Sequence, residues 1–95
     1  MTDYERLAST KTFEENLLKL AEEMGELTQA ISKYYEASNR ANRQNIIEEM
    51  VDVLISMEMV KIILEISEAE MTDMHHHKMV RNLQRIHAVC RGESE

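Results

Sequence analysis

Proline is absent from this 95-residue chain, glycine occurs twice and tryptophan not at all. Turn residues therefore do not recur at the short intervals that hairpins, sandwiches and barrels require. Aromatic residues make up only 4% of the chain, so the side chains that favour strands are scarce as well. The single cysteine, Cys90, excludes an intramolecular disulfide framework and suits a reducing compartment. Positive charge is in deficit, with 11 lysines and arginines against 18 acids and a formal net charge of −7. That balance argues against a broad attraction to nucleic acid or to an anionic membrane. No apolar run approaches the roughly 18–20 residues that span a bilayer, and the polar first residues do not read as a signal peptide. A cytoplasmic location is expected, with neither nucleic acid nor membrane as partner.

What the chain does have is Met, Leu, Ile, Glu, Lys and Arg, the composition of helices. At 43% hydrophobic and 31% charged it suits a folded rather than a disordered chain. Its length allows one domain over residues 1–95 with one modest core, a size often helped by oligomerisation. Residues 1–11 show no strong period. Thr12 stands three residues before Glu15, a capping-box spacing, and predicts a first long helix over about 13–36. Residues 37–42, "ASNRAN", read as a turn, and a second helix follows over about 43–65. Ser67 precedes Glu70 by the same capping spacing and starts a third helix through about Val89. Gly92 is a stop signal, and the tail to Glu95 is expected to fray. The predicted fold is all-α: an antiparallel helical hairpin with a third helix laid against it, over a core of about 13–90.

Two stretches of this hairpin repeat one acidic phrase, "LAEEMGEL" at 20–27 and "IIEEMVDV" at 46–53. With Glu23 set at 0° and about 100° per residue, Leu20, Met24, Leu27 and Ile31 fall at about 60°, 100°, 40° and 80°, and Glu26 at about −60°. With Glu49 at 0°, Ile46, Met50, Val53 and Met57 take the same four angles, and Asp52 falls at about −60°. Each helix thus carries an apolar stripe edged on one side by two carboxylates. Packed antiparallel, the helices bring Glu23, Glu26, Glu49 and Asp52 together beside the core. A solvated face would explain one such pair. Two matching pairs along apolar stripes point instead to a hard divalent cation, Mg²⁺ or Mn²⁺, because four converging carboxylates otherwise repel one another.

"KLAEEMGELTQAI" at 19–31, followed by "EEMVDVLISM" at 48–57, resembles the MazG-like, all-α nucleoside triphosphate pyrophosphohydrolases. Glu22, Glu23 and Glu26 match the first half of that family's EExxE…ExxD signature, and Glu49 and Asp52 the second. "KMVRNLQR" at 78–85 is similar to the basic stretch of the family's last helix. The resemblance implies a Mg²⁺-dependent hydrolysis of a nucleoside triphosphate to the monophosphate and pyrophosphate, in housecleaning or nucleotide-pool control. It also implies a homodimer or tetramer. Glu23, Glu26, Glu49 and Asp52 would hold the metal, and Glu22 is the better candidate for the base that activates water. Lys78, Arg81 and Arg85 share a helix face. Alone they read as surface ion pairs, but beside a metal-ligand quartet they suit phosphate oxygens. The alternatives are a deoxyuridine-nucleotide hydrolase of the same fold, or a non-catalytic helical interaction module.

Other features carry less. His75, His76 and His77 point about 100° apart on a helix and cannot share one ion. Cys90 and the eight methionines read as core filler, and Tyr34 and Tyr35 as packing residues at a helix end. Helix two is apolar on two sides, with Ile47 and Leu54 near 160° and 140° and Ile55 and Met59 near −120° and −80° (all about). One neighbouring helix does not cover so wide a band, so a second subunit is expected on the side with Ile55.

Overall fold

Four helices and no strand make up residues 1–92, the part of the chain that the computed structural model describes. They are α1 (Asp3–Ser9), α2 (Phe13–Glu36), α3 (Arg40–Ile63) and α4 (Glu68–Cys90). The all-α expectation is met, and α2 and α4 start where their predicted caps placed them. Thr12 and Ser67 both form complete capping boxes, with Glu15 and with Glu70. Each box satisfies two backbone donors that a helix start leaves open. α3 begins three residues earlier than the sequence suggested. Asn39 caps it by accepting the Asn42 amide at 2.8 Å, and Asn42 Nδ2 donates to the carbonyls of Lys33 and Ala37. The turn between α2 and α3 is thereby stitched by side chains. Among the described residues no helix is long and apolar enough to cross a membrane.

The chain divides into two compact units, Met1–Glu65 and the segment from Ile66 onward. In the first, α2 packs along α3, and α1 packs on α3. α1 is a correction to the sequence reading, which left residues 1–11 without an element. Thr2 and Glu5 form its capping box, a signal present in the sequence but followed by too short a run to show a period. Asn16, on α2, holds it in place. Its Nδ2 donates to the carbonyls of Ala8 and Thr12, both at 3.0 Å, in a fully buried position. Leu7 of α1 lines one pocket with Ile55 and Met59 of α3; Met59 is buried and Ile55 half-buried. The second unit is the helix α4, which buries none of its residues.

The interior differs from the predicted stripes. In α2 the buried residues are Asn16, Glu23 and Ala30, and in α3 they are Ser56, Met59 and Val60. The seam is therefore centred on the acids themselves, at about 0° on the wheel of α2. Leu20 and Leu27 are half-buried along its edge, while Met24 and Ile31 are exposed. Of the eight methionines only Met59 is buried. Cys90, expected inside, is exposed at the end of a helix with no buried face. Tyr35 is exposed too, leaving the packing role to half-buried Tyr34. Residues 93–95 of the tail expected to fray lie outside the described residues.

Candidate metal centre

Because the α2–α3 seam runs through the acidic phrases, it assembles their carboxylates. One oxygen each of Glu23, Glu49 and Asp52 lies within 4.8 Å of the others. Glu23 comes from the middle of α2, and Glu49 and Asp52 from successive turns of α3. Burial grades across the cluster: Glu23 is 6% exposed, Glu49 half-buried and Asp52 exposed. The cluster thus has a dry end and a wet end.

Lys19, one turn before Glu23, places Nζ 2.9 Å from Glu23 Oε1 and 3.6 Å from a Glu22 oxygen. The hydrogen bond to Glu23, followed by the charges of Glu23 and Glu22, pushes its ammonium pKa up. The other oxygen of Glu23 and one of Glu49 are buried without a hydrogen-bond partner among the described residues. Burying a carboxylate oxygen unpaired is costly, and a cation or a proton relieves it. An oxygen-only donor set with two unpartnered buried oxygens is what a hard divalent ion takes, so the residues present fit Mg²⁺ or Mn²⁺.

Glu26 stands outside the three-oxygen cluster and is exposed. The charge of Glu23 comes first among the causes that hold its carboxyl above the ordinary range, followed by loss of solvent and the charge of Glu49. Of the four acids anticipated, three converge and the fourth flanks them. Glu22 is exposed, held by Lys19. In the second unit Lys78, Arg81 and Arg85 are all exposed on α4, and none forms an ion pair among the described residues. The three consecutive histidines are exposed and join no metal cluster among the described residues.

Sequence reasoning missed a pocket of about 160 Å³ beside the acids. Its walls include Leu7 of α1, Lys11 of the α1–α2 turn, Lys19 and Glu23 of α2, and Asp52 and Met59 of α3. Lys19 was legible by its spacing of three and four from Glu22 and Glu23. Lys11 was not, because only the fold of α1 carries it there.

An all-helical chain that gathers carboxylates into its own helix seam belongs to the class of α proteins with an acidic centre. Within that class, residues 11–85 match the family model of the MazG nucleotide pyrophosphohydrolase domain. The chain belongs to that family, and nucleotide pyrophosphohydrolase activity is what the family indicates. The matched segment contains every acid and basic residue proposed for the site and runs across both units. No curated protein and no solved structure matches the chain.

Proposed function

We propose that the chain hydrolyses a nucleoside triphosphate to the monophosphate and pyrophosphate, using Mg²⁺ or Mn²⁺ held by Glu23, Glu49 and Asp52, with Glu26 as the flanking fourth acid. One observation carries this reading: the buried carboxylate oxygens of Glu23 and Glu49, which stand without a partner inside the family's motif. When bound, the cation supplies Lewis-acid polarisation of the phosphate and acidifies water. The chain's residues do the rest. Glu23, at the dry end, fixes the donor set, because packing holds its rotamer. Asp52, at the wet end, faces the side from which substrate arrives. Glu22 accepts the proton of the attacking water. Lys78, Arg81 and Arg85 neutralise the phosphate oxygens as charge moves to the leaving pyrophosphate. The assembly is a homodimer or tetramer in the cytoplasm, the apolar residues left exposed on α2 and α3 being covered by another copy.

The test is a panel of canonical and modified nucleoside tri- and diphosphates with Mg²⁺, scored for pyrophosphate against phosphate. Pyrophosphate release that stops when the ion is chelated is the expected result. Release of phosphate alone, or no turnover of any nucleotide, would overturn the proposal and leave the interaction module as the reading.

A further inference from the structure

The pocket beside the acid cluster holds two ammonium groups that no step above employs. Lys19 is paired with Glu23, yet its side chain is 37% exposed, while that of Glu23 is 8% exposed. The lysine reaches solvent and the glutamate does not. As a helix stabiliser the pair is poor, since a lysine four residues before a glutamate is the less favourable order. Its position on a buried carboxylate is the informative fact. Lys11 sits on the turn between the Ala8 and Thr12 carbonyls that Asn16 clamps, and it forms no ion pair among the described residues.

Carboxylates and ammonium groups thus line one pocket, with Leu7, Ile55 and Met59 as apolar wall. At about 160 Å³ it is smaller than the roughly 300–1,000 Å³ of sites that enclose a drug-sized ligand. It suits a phosphoryl-sized anion rather than a whole nucleotide. Such an anion is repelled by Glu23 and Asp52 until their charge is met by a cation. That cation, on the unpartnered oxygen of Glu23, in turn offsets the negative charge that now keeps Lys19 on the other oxygen.

We propose that Lys19 is the counter-ion of Glu23 when no divalent cation is bound and turns to the substrate's phosphate when one is, with Lys11 as the second phosphate ligand of the same pocket. The proposal rests on the metal-dependent reading above. It makes cation and phosphate binding reciprocal, because each releases or receives the same ammonium group.

Calorimetry tests this without turnover. Mn²⁺ is titrated into the wild type, Lys19→Met, Lys19→Arg and Lys11→Met, and inorganic pyrophosphate is then titrated into each Mn²⁺-loaded protein. Circular dichroism confirms that each variant folds. Lys19→Met is expected to bind Mn²⁺ several-fold more tightly and pyrophosphate about tenfold more weakly, the order expected for one lost charge-assisted contact. Lys19→Arg keeps both affinities near wild type. Lys11→Met weakens pyrophosphate and leaves Mn²⁺ unchanged. If Lys19→Met leaves both affinities unchanged, or weakens Mn²⁺ binding, the lysine is an ordinary surface pair or a prop for Glu23, and the proposal fails. Turnover with unaltered Lys19→Met affinities sinks this inference alone. The expected shifts without turnover of any nucleotide sink the enzyme reading alone.

Discussion

Glu23 shows how one residue's sequence signal and its structural role can differ. Its membership of a carboxylate set was legible from two acid pairs at equal angles to equal stripes. Its place in the seam was not, because a helical wheel gives angles but not the sector that a neighbour covers. The proposed binding of a cation there to the native state alone would raise stability by about 2.7 kcal/mol at a hundred times the dissociation constant. Asp52→Asn and Glu49→Gln should therefore lose most of the rise in melting temperature that millimolar Mg²⁺ gives the wild type, while the metal-free helix content stays. Scanning calorimetry with and without Mg²⁺ checks this, and a wild type indifferent to Mg²⁺ would remove the site. Glu15 offers a separate test at the start of α2. The backbone N–H of Thr12, which donates to its carboxylate, comes first among the causes that hold its carboxyl below the ordinary 4.5, followed by the Thr12 side chain and the charge of Lys11. A depressed folded-state pKa stabilises the fold above the unfolded value of 4.5, and that contribution fades as pH falls through the lower folded value. Thr12→Ala should move the Glu15 titration upward, read by carbon-detected NMR, and flatten the loss of stability below pH 4.5. An unmoved titration would mean that the Thr12 side chain adds nothing to the shift and the backbone N–H sets it.

Among the elements, those announced by a capping box and a long apolar period were legible nearly to the residue. α2 and α4 are the examples. α3 was placed late because its cap, Asn39, has no glutamate or glutamine three residues on, only Asn42. α1 was missed because seven residues give too few turns for a period to show. Its place depends on a contact distant in sequence, the buried Asn16 amide on the Ala8 carbonyl. Asn16→Ala removes two hydrogen bonds from a buried position and should cost about 1–3 kcal/mol. The effect belongs to α1 and its turn. Protease cleavage within residues 3–11 should accelerate in this variant before cleavage elsewhere does. Equal resistance in wild type and variant would show that α1 is held by its contact with α3 alone.

For the whole molecule, the notable quantity is how little apolar surface one chain hides. Ala8, Ala30, Met59 and Val60 are its buried apolar residues among those described. Leu17, Leu18, Met24 and Ile31 of α2 and Ile47, Met50, Val51 and Leu54 of α3 stay exposed. The sequence pattern placed apolar residues on two sides of α3 and the expected subunit contact on that of Ile55; the exposure of Leu54 favours the other side for the proposed contact. Ile55 is half-buried and shares a pocket with Leu7 of α1, whereas Ile47 and Leu54 are exposed, Leu54 by 58%. Leu54→Asp should accordingly split the oligomer, while Ile55→Asp should damage the single chain's fold. Sedimentation velocity separates the two outcomes, and a wild type that sediments as a monomer at tens of micromolar would refute the claim. A chain that completes its core with another copy also gains stability by mass action, since association draws on the folded form alone. Its melting temperature is then no constant of the sequence. For the proposed oligomer it should climb with each tenfold increase in protein and fall on dilution, so that concentration would help to decide how much of the protein is folded.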